Sequence, residues 1–194
     1  MKAPVIAVSL LGLLLTTMSM TAQGAGVILG QTTWTAGNGH DYAIVDFPQE
    51  SWNSASLDIT TTLPGYHLAT ITSESEQDFI YQYFVSITGG RSDWWLGGFQ
   101  PIEPEIDPAV GWEWVTGESW GYTNWSSGEP NNANGIEDHL AMEGWGAWND
   151  CCTTVGSVVF GGYIAERTVV PIPSALWLFS SGLIGLLSIS RRKD

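Results

Sequence analysis

The sequence predicts an α+β domain, and three observations carry that expectation. Two segments in the first half have helical spacing of apolar residues. From Trp94 onward, short aromatic runs are separated by glycine and proline. Strands and helices do not alternate, so a parallel α/β sheet is not indicated.

The elements follow in chain order. Thr33 to Phe47 has strand character, because Tyr42, Ile44 and Asp46 alternate with Ala43, Val45 and Phe47. Ser51 to Thr61 reads as a short helix with Trp52, Ala55 and Ile59 on one face. The β-branched Thr60-Thr61-Thr62 weakens its end. Ser73-x-x-Glu76 is a capping box, which opens a better helix to about Phe84. Phe79, Ile80, Tyr83 and Phe84 share its apolar face. Strands are then expected at Trp94–Leu96, Trp112–Val115, Leu140–Met142 and Val158–Ile164. No internal repeat or linker divides this middle region.

Charge excludes several function classes. The 194 residues carry a net charge of −14, from 6 basic and 20 acidic side chains. Between residues 25 and 168 only Arg91 and Arg167 are cationic, against 19 acids, a net of −17. Such a surface repels phosphate backbones, so nucleic acid is not an expected partner. The 11 tryptophans and the 44% hydrophobic content exclude a disordered acidic tail.

Both termini read as targeting segments. Residues 1 to about 24 have the parts of a signal peptide: Lys2, an apolar run from Val5 to Leu15, and small residues at Ala22, Gly24 and Ala25. An uncleaved anchor is the alternative. Near the other end, Pro171-Ile172-Pro173 precedes the 17 uncharged residues Ser174 to Ser190. As a helix they would span about 25 Å, a short membrane crossing. Arg191-Arg192-Lys193 follows, on what would be the cytoplasmic side. Residues 169–194 resemble a PEP-CTERM sorting signal, with Ile172 where Glu is usual. That resemblance implies processing by an exosortase. It also implies export across the inner membrane of a Gram-negative bacterium, a transient membrane anchor, and release to the cell surface or extracellular matrix. The prolines Pro171 and Pro173 and the basic Arg191 and Arg192 are its signal residues.

Three short segments carry oxygen donors: Glu129-Pro130-Asn131, Glu137-Asp138 and Trp148-Asn149-Asp150. Glu129, Asn131, Glu137, Asn149 and Asp150 offer three carboxylates and two amides. That is a donor set for Ca²⁺, which takes 6–8 hard oxygens. No histidine or thiolate cluster suggests zinc. On composition alone, solvated acidic turns are an equal alternative.

With these segments in view, the chain resembles a C-type lectin domain over about residues 33–167. The residues that carry the likeness are Trp114-Val115-Thr116-Gly117-Glu118, Tyr122-Thr123-Asn124-Trp125, Gly128-Glu129-Pro130-Asn131-Asn132 and Trp148-Asn149-Asp150. Upstream, His67-Leu68-Ala69-Thr70-Ile71 and Trp95-Leu96-Gly97-Gly98 fit the same pattern. The resemblance implies a double-loop fold whose long loop holds Ca²⁺ through Glu129, Asn131, Glu137, Asn149 and Asp150. It implies that the same five residues bind a glycan or exopolysaccharide. Their Glu-Pro-Asn form implies mannose-type sugars, which include glucose and N-acetylglucosamine. Pro130 is expected to follow a cis peptide. Asn132 and Asp138 stand where some members hold an auxiliary ion. Family folds also bind protein ligands, so an adhesion protein with calcium only stabilising the loop is the alternative.

Two departures and two further readings complete the picture. The family usually has two disulfides, but His139 and Ala165 stand where its pattern expects cysteine. The chain's two cysteines, Cys151 and Cys152, are adjacent instead. Glu103, Glu105 and Asp107 form a separate acidic group, read as solvated loop. Trp120, Trp125 and Trp145 lie near the long loop, and each is a candidate to stack on a sugar. Gly117-Glu118-Ser119-Trp120-Gly121 matches a nucleophile elbow by letter but lacks its expected strand and helix context, so no enzyme is expected.

Overall fold

The computed structural model describes residues 24–101, 107–152 and 160–169. The expected signal peptide, the sorting segment and the acids Glu103 and Glu105 lie outside them. Among the described residues, no helix is long and apolar enough to cross a membrane.

The elements in order are β1 (Val27–Thr33), β2 (Asp41–Asp46), α1 (Trp52–Thr62), β3 (His67–Leu68), α2 (Glu74–Thr88) and β4 (Asp93–Phe99). β5 (Glu113–Trp114), a 3₁₀ turn (Ala133–Gly135), β6 (Glu137–Met142), β7 (Trp148–Cys152) and β8 (Phe160–Arg167) follow. This is the expected α+β class, with two helices and a mixed sheet. The main sheet path runs β1-β2-β8-β4-β6-β7, with β3 on β8 and β5 on β4. The pairs are antiparallel except β4 with β8.

Several expected boundaries move. The strand expected over 33–47 is cut to Asp41–Asp46, because Trp34 to His40 forms a turn in which Trp34 N–H donates to the His40 carbonyl at 2.9 Å. β1, not anticipated, pairs with β2 and forms a sheet edge. α2 runs past Phe84 to Thr88 and stops at Gly89, whose φ of 74° suits a residue without a Cβ. Its amide donates to the Val85 carbonyl at 2.8 Å. Only half of the capping box forms. The Ser73 hydroxyl accepts the Glu76 N–H at 3.3 Å, but Glu76 Oε2 accepts the Thr72 N–H at 2.8 Å rather than the cap's own amide.

The sheet is covered by a helix on each face, so its inner strands are apolar on both sides. Tyr42, Ile44, Trp94, Leu96, Leu140, Met142 and Ile164 pack with Ile80 and Phe84 of α2. Ala43, Val45, Trp95, Ala141, Tyr163 and Ala165 pack with Trp52, Ala55 and Ile59 of α1. The period-two alternation of a strand divides each run between the two layers. Buried indoles are satisfied by backbone: Trp52 Nε1–H donates to the Leu96 carbonyl at 2.7 Å and Trp95 Nε1–H to that of Glu50 at 2.8 Å. At Gly97 a Cβ would lie 2.6 Å from the Leu68 carbonyl oxygen, so glycine lets β3 and β4 approach.

The positions where cysteines were expected are filled by packing. His139 is opposite Cys151 in the β6–β7 register, and its ring lies 4.4 Å from that of Trp52. Burial pushes the His139 pKa down, opposed by Asp138. Ala165 and Cys151 are buried in the α1 layer.

Candidate functional site

The β6–β7 hairpin and the loop ahead of it bring the oxygen donors together. Asp150, fully buried on β7, is the anchor. Its two carboxylate oxygens accept the backbone N–H groups of Asn131 at 3.0 Å and Asn132 at 2.7 Å. These bonds hold the Glu129-Pro130-Asn131 corner against the sheet, and the Glu129–Pro130 peptide is cis, as expected. The Asn131 amide donates to Glu129 Oε2 at 2.5 Å. Glu137, opening β6, accepts the Ala133 N–H at 2.7 Å, and its own N–H donates to Asn132 Oδ1 at 3.0 Å. Glu129, Asn131, Glu137 and Asp150 are thus joined by direct contacts or by shared electrostatics. Asn149 is the neighbour of Asp150 on β7, half-buried and opposite Ala141; the contacts that join the other four do not include it.

Burial, reinforced by neighbouring carboxylates, governs the electrostatics. Glu129 is pushed up to about 7, first by burial, then by its hydrogen bond to Asp150 and by the charges of Asp150, Glu137 and Glu143. Burial also raises Glu137, offset by the Ala133 N–H and reinforced by Asp150. Burial and neighbouring like charge both disfavour the ionised form. Three carboxylates and two amide oxygens make an all-oxygen donor set that fits Ca²⁺. Asn132 and Asp138, considered for an auxiliary ion, are engaged within the chain. Asn132 Oδ1 takes the Glu137 amide, and Asp138 bonds His139 Nδ1 at 2.5 Å.

The tryptophans near the loop separate into two kinds. Trp120 packs on Trp112 and Trp114, with ring centroids 5.6 and 4.6 Å away, and Trp125 packs on Trp112 at 5.1 Å. Both rings are partly buried and pack against the core cluster that contains Trp148. Trp145 is different, being 65% exposed in the β6–β7 turn. The Gly117–Gly121 segment leads from β5 into irregular loop rather than into a helix, so its serine has no elbow geometry.

Sequence reading missed a second buried polar group. His40, Glu76 and Glu166 place ligand-type atoms within 4.8 Å of one another. Glu76 Oε1 accepts the Tyr42 hydroxyl at 2.5 Å and the Asn38 amide at 2.8 Å. Glu166 bonds His40 Nδ1 and accepts the Thr70 N–H at 2.8 Å. The cluster ties α2 to β2 and β8 as a hydrogen-bonded clasp. The only sequence signal for it was an acid at an otherwise apolar strand end, Glu166.

No protein-family model matches the chain. Curated proteins do. A C-type lectin from Micrurus corallinus is 31% identical over 134 residues, covering 68% of this chain and 81% of the relative. A C-type lectin mannose-binding isoform from Notechis scutatus scutatus is 31% identical over 120 residues, covering 60% of this chain and 72% of the relative. Among solved structures, the C-type lectin CEL-I from Cucumaria echinata superposes with a TM-score of 0.57 at 25% identity, covering 70% of this chain and 94% of that one. Its long loop, its helices on both sheet faces and these relatives agree: the chain belongs to the C-type lectin family.

Proposed function

We propose that the chain is an exported, calcium-dependent carbohydrate-binding protein of a cell surface or extracellular matrix, selective for mannose-type sugars. One observation carries the reading. Buried Asp150 pins the Glu129-Pro130-Asn131 corner beside Glu137, gathering carboxylates whose mutual repulsion a divalent cation would relieve.

Glu129, Asn131, Glu137, Asn149 and Asp150 would hold the ion. Bound Ca²⁺ supplies a coordination point for two neighbouring sugar hydroxyls. The protein's own groups do the rest: Glu129 and Glu137 accept hydroxyl protons, while Asn131 and Asn149 donate N–H to hydroxyl oxygens. Asn131 and Glu129 now satisfy each other, so a sugar replaces that bond and little reorganisation is needed. A curated relative is named as a mannose-binding isoform, which is consistent with the Glu-Pro-Asn corner found here. The apolar leader and the Pro171–Lys193 segment support export, exosortase processing and surface or matrix delivery.

The test is retention of the protein on immobilised sugars. Mannose, glucose and N-acetylglucosamine should retain it in calcium and release it with EDTA, whereas galactose should not retain it. Calcium binding without sugar retention would overturn the reading and favour an adhesion role toward a protein ligand.

A further inference from the structure

A second pocket of about 280 Å³ lies at the turn end of the β6–β7 hairpin, away from the end that carries Glu137. Its walls include Tyr81, Tyr122 and Trp145, with Glu74 and Asp78 of α2. The size is at the lower limit for organic ligands, so one ring or one headgroup fits.

The turn that presents Trp145 is built, not loose. Glu143 N–H donates to the Ala147 carbonyl and Gly146 N–H to that of Glu143, both at 2.8 Å. The Gly146 carbonyl accepts the Gln77 amide at 2.8 Å and the Asn124 amide at 2.9 Å. Gly146 has φ of 97°, and a Cβ there would lie 2.7 Å from the Tyr81 ring, so glycine seats the turn on that ring. A large indole is thereby held in water on a fixed backbone, a preorganised stacking surface.

The charge in the pocket has one sign. Glu74 and Asp78 are exposed, one helical turn apart, and neither belongs to an ion pair among the described residues. Both press on Tyr122, whose phenol is raised by burial and by their charges. The Gln77 and Asn124 amides each direct an N–H to the Gly146 carbonyl. The pocket's charged groups, Glu74 and Asp78, are carboxylates and so act as acceptors. Aromatic faces beside carboxylates attract a substituted ammonium group through cation–π and charge-assisted contacts.

We propose that this pocket is a calcium-independent subsite for a cationic amino sugar, with the ring stacked on Trp145 and its ammonium facing Glu74 and Asp78. A sugar ring uses the apolar indole face, and its ammonium uses the carboxylates. A neutral sugar would leave the two charges unused.

The full chain should be titrated at pH 5.5 in EDTA with a glucosamine trisaccharide, followed by tryptophan fluorescence and calorimetry. The N-acetylated trisaccharide and choline chloride serve as comparisons. The glucosamine oligomer should bind, with both comparisons at least tenfold weaker. Trp145→Ala should weaken it at least tenfold, Trp145→Phe less, and Asp78→Asn should weaken it and reduce its salt dependence. Unchanged melting temperatures would place those losses at the pocket. Equal binding of the N-acetylated oligomer would mean neutral stacking, and equal binding of choline would mean a bare cation site. Either result overturns the proposal, as does absence of binding in EDTA or indifference to both variants. Because EDTA removes calcium, the outcome is independent of the calcium-site reading.

Discussion

At the scale of single residues, the candidate site depends on which atom of each side chain is used. In the proposed site Asn149 would offer an oxygen to the metal and an N–H to the sugar. Asn149→Asp keeps the oxygen and removes the donor. Sugar affinity should fall about tenfold, the cost of one lost hydrogen bond to a bound ligand, while calcium affinity changes less. Equal loss of both, read by calorimetry, would contradict the assigned roles. Asp150 has a different task. Its buried oxygens are committed to the amides of Asn131 and Asn132, so it shapes the corner as well as offering charge. Nothing local in Trp148-Asn149-Asp150 marks Asp150 as the buried member. The five candidate donors were nominated by their chemistry and by the family resemblance; which of them touch one another required the folded contacts.

At the scale of elements, α2 joins the buried clasp and the β6–β7 turn to the core. Its Gln77 clamps the Gly146 carbonyl and the Trp148 indole, and its Glu76 closes the clasp with Tyr42, Asn38 and Thr72. Glu76→Ala would remove the near acceptor of the buried Tyr42 hydroxyl, whose other acceptor, Glu166 Oε1, lies 3.4 Å away, and those of the exposed Asn38 and Thr72. A loss of about 1–3 kcal/mol is expected, the cost of one weakened buried hydrogen bond. Urea unfolding of the variant measures this directly, and a change below 1 kcal/mol would show the clasp to be dispensable. The capping serine of α2 was readable from Ser73-x-x-Glu76. The inward turn of Glu76 was not, because its partner Tyr42 lies 34 residues away. β1 escaped notice for a related reason. Its apolar residues Val27, Ile28 and Leu29 are largely exposed on an edge strand, so burial leaves no alternation to read.

At the scale of the whole molecule, stability should couple proton and calcium binding. Glu129 has an ordinary value near 4.5 and sits at about 7 in the metal-free fold, and Asp93 is raised to about 6 by burial and the charge of Glu143. The folded state therefore holds protons more tightly than the unfolded chain. That contribution is present at low pH and is lost as pH rises through 6 to 7. In EDTA the melting temperature should rise as pH falls from 8 to 5. If the proposed site is right, calcium needs the same carboxylates ionised and should stabilise most at high pH, by about 2.7 kcal/mol at a hundredfold excess over its dissociation constant. The gap between melting temperatures with calcium and with EDTA should narrow as pH drops. A gap independent of pH would show that Glu129 takes no part in binding the ion.

By itself the sequence determined the class of fold, the two helices and the cap of the second, the aromatic strands and the acidic balance, and it nominated the candidate oxygen donors. Each depends on chemistry or periodicity within about ten residues, where backbone hydrogen bonding and side-chain spacing act. Tertiary structure alone decided that β4 and β8 run parallel and that His139 packs on Trp52 beside Cys151. It also decided that Trp120 and Trp125 pack half-buried against the core while Trp145 faces water. The His40–Glu166 contact spans 126 residues, and no local window registers such a pair. These features follow from which surfaces the sheet and its two helices bury together, a property of the assembled packing rather than of any segment.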